Sequence, residues 1–153
     1  MPDSTPGYAK NIVGRALRAK VDPEPKPREK KQIWEFFHSE CAFCGTVLIP
    51  GSGAGHIDHL VAHSRGGSNH ISNRVLACRT CDSVEKLDSD WQKFLVKKNP
   101  DKKQLARRRN RIEQWTSMNG PAPSFDSDLI LREKSRLDSA IDAAVDRINR
   151  SKE

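Results

Sequence analysis

Two Cys-x-x-Cys pairs are the clearest chemical feature of this sequence, CAFCG at Cys41 and Cys44 and CRTCD at Cys78 and Cys81. Each pair can form a tight turn that offers two thiolates, and two such turns complete a tetrahedral zinc site. All four cysteines of the chain fall into these pairs, which favours a metal site over buried core cysteines or a redox pair. We therefore predict a structural zinc ion that joins the two pairs and offsets a thin hydrophobic core.

The segment between the cysteine pairs carries a second set of reactive groups, beginning with the stretch HIDHLVAHSRGG at residues 56–67. His59 can accept a proton from water near neutral pH, because an imidazole titrates there. Asp58, and Asp82 directly after the second cysteine pair, offer hard oxygen donors that suit Mg²⁺ or Mn²⁺. Phosphodiester hydrolysis requires a base, a divalent cation and a water nucleophile, so these residues form a candidate catalytic site.

Simpler interpretations of these residues remain open. Asp82 also fits a helix N-cap with Glu85 as its capping-box partner. Adjacent residues of a regular strand face opposite sides, so Asp58 and His59 can meet one phosphate only if the strand twists or ends there. The other histidines of the segment fit loop or surface positions, with the first of them close enough to act as a secondary ligand: His56, His63 and His70.

The charge of the chain favours a polyanionic partner. The net charge is +7, with 31% charged and 35% hydrophobic residues, and a basic balance favours nucleic acid first and an anionic membrane second. The run KKQLARRRNR is predicted to be a helix whose inward side chains are Leu105, Ile112 and Trp115. Its basic residues are candidate phosphate contacts, although such a run is often only a solvated face. They are Lys102, Lys103, Arg107, Arg108, Arg109 and Arg111.

Four segments are expected along the chain. They are a basic N-terminal arm with a proline-rich linker at 1–28, a compact domain at 29–99, a basic helix at 100–118, and a linker with an amphipathic helix at 119–153. Within the compact domain we predict a helix at 29–39 and strands at 46–50, 56–60 and 74–78. A further helix at 83–97 is predicted from the spacing of Val84, Leu87, Trp91, Phe94 and Leu95.

The C-terminal helix has a narrow apolar seam, formed by Ile130, Leu137, Ile141, Ala144 and Ile148. A stripe of this width is too narrow for a buried core helix. The helix can therefore fold back on the compact domain, pair with a second copy of the chain, or dock on another protein.

Membrane insertion and secretion are not expected. No apolar run approaches the length that spans a bilayer, and the N-terminal stretch lacks the apolar core of a secretion signal. We expect a cytoplasmic protein whose cysteines are reduced and free to bind metal.

The run IDHLVAHSRGGSNHISNRVLACRTCD resembles the HNH nuclease pattern, which has an Asp-His pair, a Gly-Gly loop, an Asn before a strand, and a final metal ligand that opens a helix. The two cysteine pairs are similar to those of many HNH members. The resemblance covers roughly residues 30–95. It implies an α+β fold, namely a small ββα-metal domain stapled by a four-cysteine zinc site, here flanked by N- and C-terminal helices.

The resemblance also implies an activity, the metal-dependent hydrolysis of DNA phosphodiester bonds. It assigns His59 as the general base and Asp58 and Asp82 as ligands of a catalytic Mg²⁺ or Mn²⁺. Asn73 would hydrogen-bond the backbone near His59 and hold the shape of the loop, although a simple turn residue is the alternative for this position.

Three positions depart from the family pattern. Ala62 stands where a proline is usual, and Asp82 stands where His or Asn is common. The lysine that often follows three residues after the final ligand is displaced, with Glu85 there and Lys86 next. A second carboxylate should favour hard cations, and the displacement removes a phosphate contact from its usual position.

Two other functions compete with a free-standing nuclease. A noncatalytic, zinc-stapled DNA-binding module would keep the fold without the chemistry, and the intact His59 argues against it. A nuclease subunit of a restriction, phage-packaging or antiphage assembly would use the C-terminal seam to bind its partner. Nothing resembles a base-reading module, so little sequence preference is expected.

Overall fold

The computed structural model describes residues 5–124 and 126–151. In chain order its elements are α1 (Pro6–Val21), α2 (Pro27–Phe36), β1 (Gly55–His59), β2 (Arg74–Cys78), a π-helical turn (Cys81–Lys86), α3 (Trp91–Lys98), α4 (Lys102–Asn119) and α5 (Ser127–Arg150). Two 3-10 turns, His63–Arg65 and Ile71–Asn73, lie between the strands. The predicted α+β class, with flanking helices, is confirmed. Residues 1–4, 125, 152 and 153 of the predicted terminal segments lie outside the described residues.

The chain divides into two compact units. One runs from Glu24 to Pro123 and contains the two strands, the four cysteines and helices α2 to α4. The other combines the described residues up to Pro23 with those from Ser124 onward, and so contains α1 and α5. The segment boundaries expected after residues 28, 99 and 118 stay predictions.

The two strands form an antiparallel sheet whose register fixes the positions of the reactive residues. Gly55 lies opposite Cys78 at one end of the ladder, and His59 lies opposite Arg74 at the other. The predicted strand at 56–60 is therefore displaced by one residue, and the strand at 74–78 is confirmed. The cysteines and His59 thus lie at opposite ends of one short ladder.

The strand expected at 46–50 is wrong. The structure has only an isolated bridge there, between Glu40 and Val47. Val47 and Ile49 are both exposed and Leu48 between them is buried, so a single side chain attaches this stretch to the core and the pairing stops at one bridge. Gly51 and Gly53 then adopt positive φ angles and turn the chain toward β1.

A hydrophobic core supports β2. Ile33 and Phe37 from the α2 region, Phe94 and Leu95 from α3, and Ile112 and Trp115 from α4 pack around the fully buried middle residues of the strand, Val75, Leu76 and Ala77. The indole Nε1 of Trp115 donates to the carbonyl oxygens of Ile71 at 3.1 Å and Arg74 at 2.8 Å. The inward face predicted for the basic helix is therefore confirmed, and Trp115 fastens that helix to the start of β2.

The continuous helix predicted at 83–97 is wrong. A π-helical turn covers Cys81–Lys86, Leu87 has a φ of +47°, and α3 begins only at Trp91. Val84 and Leu87, which the pattern assigned to the core, are 66% and 58% exposed, whereas Lys86 is 1% exposed. The helix restarts where the carboxylate of Asp90 accepts the backbone N–H of Lys93 at 2.9 Å, as an N-cap does.

In the terminal unit, α1 packs against α5. Lys10 of α1 forms an ion pair with Asp142 of α5, with its Nζ 2.6 Å from Oδ1. The two helices are also close at Gly14, where an added Cβ would lie 2.9 Å from the Lys134 side chain. The three partners expected for the C-terminal helix from its sequence did not include α1. None of the helices in the described ranges is both long and apolar enough to cross a membrane.

Candidate active site and metal centre

The four cysteines predicted to bind zinc meet in one cluster. Their Sγ atoms all lie within 4.8 Å of one another, and those of Cys44 and Cys78 are 3.7 Å apart. Two sulfur ligands of a tetrahedral zinc ion lie about 3.8 Å apart, given a Zn–S bond of about 2.3 Å. Gly45, with a φ of +75°, donates its N–H to the Cys41 carbonyl at 2.8 Å and closes the first turn.

The thiols of this cluster strongly affect one another. The hydrogen bond from the Cys41 thiol is the largest cause that lowers the pKa of Cys44, and Cys81 adds to it. The same contact raises the pKa of Cys41 to about 11, and hydrogen bonds to Cys41 and Cys44 raise the pKa of Cys81. Thiolates repel at this spacing, so a cation among the sulfur atoms would favour ionisation of the whole set. The donor set fits Zn²⁺.

His59, at the far end of the ladder, is held by two polar side chains. Its Nε2 lies 2.9 Å from Oδ1 of Asn69, and Nη1 of Arg74 contacts both ring nitrogens, at 2.7 Å from Nδ1. Burial, followed by the charge of Arg74, lowers the pKa of His59. The imidazole is therefore neutral at physiological pH, as a proton acceptor must be.

Asn73 connects the two sides of the loop that follows His59. Its Oδ1 accepts the N–H of Val61 at 2.9 Å, and its Nδ2 donates to the carbonyl oxygens of Val61 at 3.0 Å and Ser68 at 2.8 Å. A Cβ at Gly67 would lie 1.7 Å from the Val61 carbonyl oxygen. The loop thus closes tightly around one asparagine and one glycine.

Asp58 is buried against a lysine. Nζ of Lys86 lies 3.0 Å from Oδ2 of Asp58 and donates to the Leu87 carbonyl at 3.2 Å. Burial raises the pKa of Asp58 to about 6, the nearby charge of Asp82 adds to this rise, and Lys86 opposes it. Asp58 is therefore ionised at neutral pH with a cation already beside it.

The π-helical turn is what brings Lys86 to Asp58. A π-helical turn makes i→i+5 hydrogen bonds and so contains one more residue than an α-helical turn. Lys86 consequently faces Asp58, while Glu85 points away and pairs with Lys98 at 2.5 Å. Lys86, which is displaced by one residue from the family pattern in the sequence, therefore lies beside Asp58 in the structure.

Asp82 lies inside the π-helical turn, so the N-cap interpretation is wrong. The cap position is Thr80, which makes no side-chain cap hydrogen bond. Oδ2 of Asp82 accepts the hydroxyl of Ser83 at 2.9 Å and lies 3.6 Å from Nδ1 of His56. Within the described part of the chain, the four cysteines are the only group of three or more His, Cys, Asp or Glu side chains at metal-binding distances.

The basic side chains of α4 fall into two sets. Lys102, Lys103 and Arg107 are exposed, whereas Arg108, Arg109 and Arg111 are partly buried. Nε of Arg108 donates to Oδ1 of Asn99 at 2.9 Å, and Nη1 of Arg111 donates to Glu40 at 3.2 Å. The first set is therefore the part of α4 available to a phosphate backbone.

Three polar residues at the site were missed by the sequence analysis, namely Asn69, Arg74 and Lys86. For Arg74 a partial signal existed, because the strands predicted at 56–60 and 74–78, if paired antiparallel, bring the end of the first beside the start of the second. For Lys86 the signal was its place in the sequence, one residue after the position where the HNH pattern often has a lysine.

Residues 41–95 match the family model described as HNH endonuclease. The resemblance to HNH endonucleases is confirmed for this segment. The HNH segment contains all four cysteines, His59, Asp58, Asn73 and Asp82, and it excludes α4 and the terminal helices. A comparison with curated proteins found no match.

Proposed function

We propose that this protein is a metal-dependent HNH endonuclease that hydrolyses DNA phosphodiester bonds. The observation that carries the proposal is the environment of His59. Its imidazole is oriented by Asn69 and has a lowered pKa, and it lies within a segment that matches HNH endonucleases. The lowered pKa of this group suits a proton acceptor at neutral pH.

His59 acts as the general base that takes a proton from the attacking water. Asn69 orients its ring through the contact at Nε2, and Asn73 fixes the loop that follows it through the two-way contact with Val61. Asp58 and Asp82 would hold the catalytic Mg²⁺ or Mn²⁺, since each offers a carboxylate and the charge of one is felt by the other. A divalent ion there would offset the negative charge that develops on the phosphate.

The remaining parts of the protein support binding and stability. Cys41, Cys44, Cys78 and Cys81 would hold a structural zinc ion, which fixes the end of the ladder opposite His59. The net charge of +7 and the exposed cations of α4 suit the phosphate backbone of DNA. Because phosphate contacts carry no sequence information, the binding should show little sequence preference.

A plasmid-nicking assay tests the proposal. Purified protein should convert supercoiled DNA to nicked or linear forms only when Mg²⁺ or Mn²⁺ is added. His59→Ala should lower the single-turnover rate by about 100- to 10,000-fold, the usual contribution of a general base. His38→Ala is the matched control, because His38 is exposed and lies outside the matched segment 41–95, and it should leave the rate within about threefold.

The second candidate is a noncatalytic, zinc-stapled DNA-binding module, and the Lys86–Asp58 ion pair favours it. A carboxylate already neutralised by a buried ammonium is a weaker ligand for a divalent cation. DNA binding without metal-dependent nicking, in protein that contains zinc, would select this candidate.

A further inference from the structure

Arg74 connects His59 to an acidic residue that is far away in the sequence. Nη1 of Arg74 contacts the imidazole, while Nη2 donates to Oε2 of Glu24 at 2.8 Å. The side chain of Arg74 is 6% exposed and that of Glu24 is 59% exposed. The buried guanidinium of Arg74, which contacts the candidate base, thus forms an ion pair with a solvent-exposed carboxylate.

The backbone around Glu24 allows its carboxylate to be exchanged for another anion. Glu24 stands between Pro23 and Pro25, in a segment without helix or strand that joins α1 to α2. Pro25 is buried and fixes the path of the chain. Glu24 itself belongs to no regular element, so its side chain can leave Arg74 without breaking a helix or the sheet.

A phosphate group can replace a carboxylate on arginine. The planar fork of a guanidinium binds carboxylate and phosphate oxygens with the same geometry. A phosphodiester next to His59 also needs a fixed cation against its charge. Arg74 is the cation whose nitrogen touches the His59 ring.

We propose that Arg74 binds a phosphate of the DNA substrate and that Glu24 occupies this phosphate position until DNA displaces it. This proposal deepens the proposed function and rests on DNA being the substrate of the His59 site. Arg74 is then a substrate-binding residue, and Glu24 is an internal competitor of the substrate.

The hydrogen bonds of His59 support this exchange. Arginine donates and cannot accept a hydrogen bond, and Nη1 of Arg74 contacts both ring nitrogens of His59, so the guanidinium lies against the ring nitrogen that carries no proton. Both ring nitrogens are therefore engaged while Glu24 holds Arg74. Movement of the guanidinium toward a phosphate frees the lone pair of the unprotonated ring nitrogen for water.

Binding measurements test the exchange without requiring cleavage. The dissociation constant of a fluorescent DNA duplex should be measured by anisotropy, with no Mg²⁺ or Mn²⁺ added, for wild type, Glu24→Gln, Arg74→Gln and the double variant. Glu35→Gln is the matched control, because Glu35 lies in an exposed ion pair with Lys31 and its change removes the same charge. Zinc content and circular dichroism establish that each variant is folded.

Glu24→Gln should tighten DNA binding by about two- to fivefold, the range for loss of an exposed competing ion pair. Arg74→Gln should weaken it by about tenfold or more, as expected for a lost bond to a charged group. In the Arg74→Gln background, Glu24→Gln should have no further effect, because the competition needs the arginine. Glu35→Gln should leave affinity unchanged within about 1.5-fold.

Two results overturn the proposal. One is a Glu24→Gln affinity equal to or weaker than wild type, and the other is a gain that persists in the Arg74→Gln background or equals that of Glu35→Gln. If Arg74→Gln does not fold, Arg74→Lys replaces it in the same comparison and should bind more weakly than wild type while keeping the Glu24→Gln gain. A protein that binds DNA without cutting it contradicts the proposed function and leaves this test intact.

Discussion

The ammonium group of Lys86 lies 3.0 Å from the carboxylate of Asp58, and both side chains are buried. Val84 and Leu87 are exposed whereas Lys86 between them is buried, an arrangement that the hydrophobic effect alone opposes. The ion pair with Asp58 accounts for it. Removal of one partner from a buried ion pair leaves an uncompensated charge. The relationship therefore makes a direct prediction about stability.

Lys86→Met should destabilise the protein by about 3–5 kcal/mol at pH 8, the cost of breaking a buried ion pair. A carboxyl whose folded pKa exceeds its unfolded value folds more readily when protonated, so its contribution to stability falls as pH rises through the interval between the two. Burial already raises the pKa of Asp58 from 3.8 to about 6, and loss of Lys86 raises it further. The destabilisation relative to wild type should therefore be smaller at pH 5.

Urea denaturation of both proteins at pH 5 and pH 8 measures this difference, and comparison with wild type at each pH removes the effect of pH on the rest of the protein. Lys98→Met is the control, because its ion pair with Glu85 is more exposed and should contribute at most about 1 kcal/mol. Equal destabilisation by Lys86→Met at both pH values would contradict the prediction.

Zinc should be a condition of folding. Purified protein should contain one zinc ion per chain by elemental analysis, and Cys44→Ala or Cys78→Ala should abolish both the metal and the cooperative melting transition, because two thiolate turns are then no longer joined. Thr46→Val, which alters a hydroxyl 3.1 Å from the Cys44 sulfur and no ligand, should retain zinc. A zinc-free preparation with the wild-type melting curve would refute this role.

Asp82→Ala should raise the Mg²⁺ concentration that gives half-maximal cleavage by about tenfold or more, and excess Mg²⁺ should restore part of the rate, because one proposed ligand is lost. Asp88→Ala removes the same charge from a carboxylate that accepts the Ser64 hydroxyl at 2.7 Å, and it should leave the Mg²⁺ requirement unchanged. The ligand assignment fails if the two variants need the same Mg²⁺ concentration. Single-turnover rates across a Mg²⁺ series provide the measurement.

The exposed cations of α4 should contribute affinity rather than chemistry. The triple change of Lys102, Lys103 and Arg107 to Gln should flatten the slope of log affinity against log salt by about one unit for each lost phosphate contact, with little change in the rate at saturating DNA. Arg108 is left intact because it bonds to Asn99. The control variant replaces three exposed cations of α2 with Gln, namely Arg28, Lys30 and Lys31. Equal salt slopes for the two triple variants would place the DNA-binding surface elsewhere.

Local spacing was enough to predict much of the site. The cysteine pairs, the Asp-His pair and the asparagine before β2 each lie within short stretches, so their types and order predicted the cysteine cluster and the resemblance of residues 41–95 to HNH endonucleases. The periodicity of α4 also predicted Ile112 and Trp115 as its buried face, because a 3.6-residue repeat identifies a helix independently of its neighbours.

Other features depend on contacts that no local pattern contains. A repeat of apolar residues predicted Val84 and Leu87 as core, but in the structure they are exposed and Lys86, between them, is buried in an ion pair with Asp58 of β1. Arg74 became visible as a site residue only through its register opposite His59. Likewise α1 and α5 each have an amphipathic pattern, but such a pattern does not identify the element against which the apolar face of a helix packs.

The pairing of α1 with α5 also orders events during synthesis. About 100 residues separate the end of α1 from the start of α5, and a ribosome adds about 5–20 residues per second. Roughly 5 to 20 seconds therefore pass between the emergence of the two helices, while every residue from Glu24 to Pro123 is made. During that interval α5 does not yet cover α1, so a nascent chain that stalls before α5 offers the uncovered face of an amphipathic helix to chaperones.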